Sequence, residues 1–291
     1  MTHYSIKDLE YLSGIKAHTI RIWEKRYQLL EPERSDTNIR FYSNEDLRRI
    51  LNVALLVKSG YKISQVALFD QAKLQTEVLR QNKALRNPEK NIDQLLLHTV
   101  NMDTLGFEQL LNKIIQENGF SKTIENIIFP FLERIGILWQ AGSIFIAHEH
   151  FVSNLIRNHL VIETAKFNNQ LSEKSMLFFL HEPEMHELGL LYANYLAAEN
   201  GFTSIYLGQS VPFVDLSNLL MNTQFDFICT TFINAIEKTE LEQYLANLSM
   251  AFSKNKILVA GRQMAIHKPK LPHNVVVIKS NSDFVKKISR K

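Results

Sequence analysis

The spacing of apolar positions changes along the chain, and each change marks a different kind of element. In the first 75 residues, Ile20, Trp23 and Tyr27 recur at helical spacing and predict a helix over Ala17 to Tyr27, with Thr19, Arg21, Lys25 and Arg26 on its more exposed side. Ahead of it, Ser5 with Asp8 three residues on is a capping-box-like start, and Gly14 supplies the break expected at a helix end. Behind it, Ser43 with Asp46 opens a third helix, and the turn Gly60-Tyr61-Lys62-Ile63-Ser64 leads into a fourth. Residues 71–92 are polar and contain the helix-stopping pair Asn87-Pro88, which reads as a linker whose first half continues a helix.

From Asn91 to about Lys166 apolar residues return at spacings of three and four: Leu105, Leu110, Leu111, Ile114 and Ile115, then Ile124, Ile127, Ile128, Phe131 and Leu132. This predicts a four-helix bundle, jointed near Gly119 and Gly142. After Ser175 the rhythm becomes strand, loop, helix. Strands are expected at Met176–Leu180, Thr203–Leu207, Phe225–Thr230, Lys256–Val259 and Val275–Lys279, with helices near Leu188–Asn200, Val214–Met221, Lys238–Phe252 and Ser282–Ile288. That alternation predicts a doubly wound parallel sheet, Rossmann-like in kind. The chain is thus read as multidomain, α followed by α/β: residues 1–75, a linker at 76–92, a helical bundle at 93–170 and the sheet domain at 171–291.

Composition adds limits. A chain of 291 residues with 45% hydrophobic content has room for two or three cores. Its start, Met-Thr-His-Tyr-Ser-Ile-Lys, is neither a signal nor a transit peptide, and no run approaches the ~18 apolar residues of a spanning helix. No membrane partner is expected, and the cytoplasm is the expected location. The single cysteine, Cys229, lies in the apolar stretch Phe227 to Thr231 and is read as a buried thiol without chemistry. The formal charge of +3 is concentrated: residues 1–75 hold twelve Lys plus Arg against nine Asp plus Glu, an excess equal to that of the whole chain. That is a small footprint for a polyanion.

The local pattern in that segment says more than its charge. A basic strip on the second helix of a helix-turn-helix is the element that enters a major groove, where arginines fork onto guanine edges or phosphates. It is followed by Glu31 to Tyr42, where Arg34, Arg40 and Tyr42 alternate with the turn-forming Ser35-Asp36-Thr37-Asn38, in the manner of a two-stranded wing that reaches for phosphates. Three segments, Thr19 to Tyr27, Arg34 with Asn38-Ile39-Arg40-Phe41-Tyr42, and Gly60-Tyr61-Lys62-Ile63, resemble the MerR family of winged helix-turn-helix regulators. The resemblance implies binding to double-stranded operator DNA as at least a dimer, with Thr19, Arg21, Lys25, Arg26, Arg34, Asn38, Arg40 and Tyr42 as contacts. Family members that sense metals or drugs commonly continue into a long dimerisation helix and a short effector segment. This chain continues into something larger.

Within the expected bundle, Ile146, Glu149 and His150 fall at i, i+3 and i+4 on a helix expected to begin near Ser143, with Trp139 just before it. An aromatic ring, an aliphatic side chain, a carboxylate and an imidazole share one patch; the plainer reading is an ordinary helix with Trp139 in its core. His148-x-His150 also raises zinc. Against zinc, residues two apart on a helix point to different sides, and no further Cys or His follows at ligand spacing.

The loop after the first predicted strand reads Glu184-Met185-His186-Glu187-Leu188-Gly189. An acidic residue two positions before a histidine can engage one imidazole nitrogen while the other reaches a ligand, and a glycine three positions later lets a bulky group pass the backbone. A plain surface histidine is the competing reading of the loop by itself. After Gly189, 41 residues lead to Thr231-Phe232-Ile233 at the end of the third strand, and 26 more lead from there to Ala260-Gly261 at the end of the fourth. These spacings, with the second strand's exit Tyr206 to Pro212, resemble the cobalamin-binding domain family, whose pattern is acidic-x-His-x-x-Gly, then Ser-x-Leu, then Gly-Gly. Two positions depart: Thr231 keeps a hydroxyl where the family has Ser, and Ala260 adds a methyl where it has the first glycine.

In order along the chain, these features resemble the CarH/LitR group of light-sensing repressors. The resemblance implies adenosylcobalamin as cofactor, with other cobalamin forms open, and His186 as the lower axial cobalt ligand. Glu184, Gly189, Thr231, Ile233 and Gly261 would line the cofactor, and Trp139, Ile146, Glu149 and His150 would surround the upper adenosyl group. It also implies an oligomer, dimer or tetramer, that binds DNA in the dark and is released by light. Gln140 departs from relatives that place there a histidine that captures cobalt after photolysis, leaving His148 or His150 as substitutes. Two competitors stand beside this reading: a DNA-binding regulator whose cobalamin is not a light sensor or whose pocket is vestigial, and a corrinoid methyl carrier or methyltransferase. The second has no catalytic domain here to serve.

Overall fold

Local capping rules set the frame of the first helices. In the computed structural model, which describes residues 4–34, 40–81, 88–140, 144–167, 174–219 and 225–289, helix α1 (Ile6–Ser13) starts on a reciprocal pair: Ser5 Oγ accepts from Asp8 N, and Asp8 Oδ2 accepts from Ser5 N at 2.7 Å. Gly14, at φ 70°, ends it in the left-handed region that favours glycine. Helix α2 (Ala17–Tyr27) has the expected bounds and buries Ile20 and Trp23. Strands β1 (Glu33–Arg34) and β2 (Arg40–Phe41) pair antiparallel, Glu33 opposite Phe41. Helix α3 (Asn44–Lys58) begins on the Ser43/Asp46 box, followed by α4 (Ile63–Val66) and α5 (Gln71–Gln81). Leu47, Ile50, Leu51, Ala54 and Leu56 of α3 are buried with Tyr4, Leu9, Ile20 and Tyr42. Arg49 donates to the backbone oxygens of Leu29, Ala67 and Phe69, tying two loops to α3.

The bundle helices are α6 (Pro88–Val100), α7 (Thr104–Asn118), α8 (Phe120–Thr123), which runs through a π-helical turn at Ile124–Ile128 into α9 (Phe129–Gln140), and α10 (Ile146–Ala165). The expected linker is shorter than read. Pro88, taken as a stop, is the first residue of α6, where a missing N–H costs nothing because first-turn donors have no helical partner. Helix α10 begins at Ile146, three residues later than expected, because the His148 ring accepts from Phe145 N at 3.2 Å and closes the first turn there.

The chain divides into two compact units, Met1–Val152 and Ser153–Lys291. Inside the first, Asp93 on α6 accepts from Lys58 Nζ of α3 at 2.7 Å and from Arg134 Nη1 of α9 at 2.5 Å. One nearly buried carboxylate therefore joins three helices. Asp93→Ala leaves both cations beside a hole. It is expected to lower stability by about 2 kcal/mol, between the limits for exposed and buried ion pairs, read as a fall in the urea midpoint. A variant with unchanged midpoint would show that the clamp contributes nothing.

The second unit is built on a five-stranded parallel sheet of β3 (Ser175–His181), β4 (Thr203–Val211), β5 (Phe227–Thr231), β6 (Lys256–Ala260) and β7 (Val275–Val277), in spatial order β4-β3-β5-β6-β7. Met176 pairs with both Ser204 and Phe227, and Ile257 with both Ile228 and Val275. Helices α11 (Leu188–Glu199), α12 (Phe213–Leu219), α13 (Lys238–Ala251), α14 (Arg262–His267) and α15 (Asn281–Ser289) connect or follow the strands. One core joins Leu177, Phe179, Ile228, Ile257 and Val259 to Leu216, Leu241, Leu245, Leu248 and Met264 of α12–α14. Strand β4 runs four residues beyond the expected end, past register shifts opposite Phe179 and His181. The short helix α14 is not foreseen by pattern. Among the described residues no helix is long and apolar enough to cross a membrane.

Candidate functional site

The strand order places β3 between β4 and β5, so the connection after β3 leaves to one side and that after β4 crosses back to the other. Such a switch point opens a crevice at the carboxyl ends of the two central strands. The loop carrying His186 leaves β3 there, facing the Thr231–Asn234 exit of β5.

Glu184 binds the two exits together. Its side chain is 0% exposed; Oε1 accepts from the Met185 and His186 amides, both at 3.1 Å, and from His186 Nδ1 at 2.7 Å. Its Oε2 accepts from the amides of Ile233 at 2.9 Å and Asn234 at 2.7 Å. Burial alone would raise the carboxyl's pKa, but the His186 contact and the amides of Asn234, His186 and Ile233 outweigh it and hold it at about 2. The group is a fixed anion, and it sets the imidazole with Nδ1 inward while the side chain stays 59% exposed. A metal would then be met through Nε2, the arrangement in which a carboxylate behind a histidine fixes its tautomer and orientation.

The next residue, Glu187, was not singled out by sequence. It is buried, accepting from Arg157 Nε of α10 at 2.7 Å and from the Tyr206 hydroxyl of β4 at 3.0 Å. Burial, then the Glu187 charge, push the Tyr206 phenol well above its ordinary range. The loop is therefore held from both ends, one by Glu184 and the other by Glu187.

Around the crevice, Thr231 is buried and its Oγ1 has no hydrogen-bond partner among the described residues. It alternates along β5 with Ile228 and Thr230, so it faces the side of the sheet away from α13. Gly189 lies in the first turn of α11 with no atom within 4 Å of where a Cβ would stand. Ile233 is half-buried and contributes its amide to Glu184. Gly261 sits at φ 109°, and a Cβ there would lie 2.3 Å from the Phe232 carbonyl oxygen. A spare hydroxyl, an open glycine and an oriented imidazole fit a ligand that combines a metal with a long polar tail. The Ala260 methyl does not disturb the strand exits: its carbonyl accepts from Phe232 N at 2.9 Å.

In the first unit the bundle patch is only partly as read. Trp139 is 46% exposed, so it is not a core residue, and Ile146 is also exposed. Glu149 and His150 lie side by side, Oε2 to Nδ1 at 2.9 Å. His148 points elsewhere: it is buried, stacks on Phe145 with ring centroids 5.8 Å apart, and burial lowers its pKa. Its work is to cap α10.

On the winged helix, Arg21, Lys25, Arg26 and Arg34 are exposed and Thr19 is half-buried. Asn38 lies outside the described residues. Tyr42 is a correction: it is fully buried and its hydroxyl donates to Glu24 Oε2 at 3.1 Å, so it braces the wing instead of meeting a phosphate. Burial, then Glu24, raise its pKa. Arg40 Nε donates to the other oxygen of Glu24 at 3.0 Å. Glu24, overlooked in the sequence because its partners lie sixteen and eighteen positions away, thus fixes the wing to α2. Arg40→Ala is expected to weaken operator binding and reduce the salt slope by about one charge. Glu24→Ala is expected to weaken it as well, with an added stability loss of about 1–3 kcal/mol from the stranded Tyr42 hydroxyl. Affinity titrations over a salt series distinguish the two.

Residues 4–73 match the MerR HTH family regulatory protein model, and residues 91–162 match the B12 binding domain model. The chain thus carries a segment that matches MerR-type helix-turn-helix regulators, followed by a helical segment that matches B12 binding domains. It is related to the HTH-type transcriptional repressor CarH of Myxococcus xanthus, to which it is 27% identical over 274 residues, 91% of each chain. CarA, an HTH-type transcriptional repressor of the same organism, is 22% identical over 258 residues, 88% of this chain and 85% of that one. Among solved structures, the monomethylamine corrinoid protein of Methanosarcina barkeri superposes with a TM-score of 0.53 at 15% identity, over 69% of this chain and 98% of the other, which shows a shared fold.

Proposed function

We propose that this regulator is a repressor that binds its operator as an adenosylcobalamin-loaded oligomer in the dark and is released by light. The observation that carries the cofactor assignment is the His186 imidazole, held by the buried Glu184 carboxylate at the switch point of the sheet. His186 would hold the cobalt through Nε2, and Gly189, Thr231, Ile233 and Gly261 would flank the nucleotide tail. Trp139, Ile146, Glu149 and His150 are assigned to the upper face on the strength of the sequence resemblance. When bound, adenosylcobalamin supplies a light-sensitive cobalt–carbon bond. Arg21, Lys25, Arg26 and Arg34 contact operator DNA, and Arg40 does so from a wing that Glu24 positions. With Gln140 in place of the capturing histidine and His148 committed to capping α10, His150 is the candidate to replace it. A methyl-carrier role gains nothing from the shared fold, since function is argued from sites and not from folds.

The test is a comparison of the full chain with adenosylcobalamin in darkness and after green light. Cobalamin absorbance is expected to co-elute with the protein in the dark, and illumination to change both the spectrum and the elution volume. Co-elution with no change of volume would reject light-controlled assembly while keeping the cofactor; no co-elution would reject the cofactor itself.

A further inference from the structure

Five residues of α2, His18, Arg21, Ile22, Lys25 and Arg26, stand at i, i+3, i+4, i+7 and i+8, and all five are exposed. That spacing makes them one continuous face. Three are cations. Ile22, in the middle, is an apolar side chain left 53% exposed. The core does not need it, because Ile20 and Trp23 already fill the buried side of the helix. Helix propensity does not favour it either, since a β-branched residue at an exposed helical position is worse than Ala, Lys or Arg. Thr19 is half-buried beside the His18 ring, its Oγ1 3.3 Å from Nε2, and borders this face next to Arg26.

The face belongs to the second helix of a helix-turn-helix, the element that lies in the major groove with its side chains at the base edges. Its cations match the groove's negative potential and reach phosphates or guanine O6 and N7. The base edges there carry donors, acceptors and a single apolar group, the C5-methyl of thymine. An exposed aliphatic side chain between cations has one complementary partner on such a surface. We propose that Ile22 reads a thymine methyl in the major groove and so sets base preference at one position of each half-site, while Arg21, Lys25 and Arg26 supply most of the affinity.

This rests on the DNA-binding role of the winged helix, and the test separates the two. Sites are selected from a random duplex pool with the full chain and adenosylcobalamin in darkness, and each thymine of the enriched site is replaced in turn by deoxyuridine, which removes only the methyl. The expected result is one sensitive position per half-site where affinity falls about 3- to 5-fold, the worth of one methyl withdrawn from contact. In Ile22→Ala that sensitivity is expected to vanish, while binding to unrelated duplex stays as it was. An enriched site with no deoxyuridine-sensitive position, or with the same sensitivity in wild type and variant, overturns the proposal and leaves DNA binding standing. A pool that yields no enriched sequence overturns both. Should Ile22→Ala lose binding to unrelated duplex too, Ile22→Gln, which keeps helix propensity and removes the apolar surface, repeats the comparison with the same two outcomes.

Discussion

His186→Ala is expected to leave the second unit folded while shifting the spectrum of bound cobalamin toward the water-ligated form and weakening its retention at least about 10-fold. Folding survives because the ring is mostly exposed, and Glu184 keeps four backbone donors, Met185, His186, Ile233 and Asn234, after the imidazole is gone. An unchanged spectrum would assign cobalt to another group. Glu184→Gln provides the contrast. An amide brings an NH2 group against N–H donors that have lost their acceptor, so this variant is expected to lose stability as well as ligand, whereas His186→Ala loses ligand alone. Denaturation of the two variants without cofactor tells them apart.

Gly261→Ala carries the second large effect. The residue sits at φ 109°, where a side chain is strained, and its new Cβ would meet Phe232 O at 2.3 Å, Phe232 N at 2.7 Å and Phe232 C at 2.8 Å, all of them backbone. The backbone must separate, and with it two contacts that close the exits of β5 and β6: Phe232 N to Ala260 O at 2.9 Å and Gln263 N to Phe232 O at 3.1 Å. The expected cost is about 3 kcal/mol, the strained conformation and the displaced hydrogen bonds together, measured as a lower denaturation midpoint for the chain without cofactor. The second glycine of the family pattern is therefore demanded by the fold before any nucleotide tail passes it. A variant as stable as the wild type would return that position to the ligand alone.

What the sequence showed and what it hid divide by distance along the chain. Helix α2, the Ser5 and Ser43 caps and the strand rhythm follow from neighbours within one turn or one pleat, and the structure has them with small shifts at their ends. The His186 loop was legible for the same reason: Glu184 and His186 are two residues apart. Long-range partners were hidden. Tyr42 reads like a phosphate contact until Glu24 is seen against it, and the Asp93 clamp joins residues 35 and 41 positions apart. Helix α10 starts late because a buried histidine caps it, and histidine is not among the residues by which a cap is recognised in sequence. The short α14 offers too few positions for a period to show.

The shared carboxylate has a further consequence. Since Glu184 holds the His186 ring on one oxygen and the amides of Ile233 and Asn234 on the other, a pull on the ring is passed to a strand end fifty residues away. Those two amide protons should exchange with solvent at rates that follow the strength of that grip. They would report, from bare backbone and without any chromophore, whether something has taken hold of the imidazole.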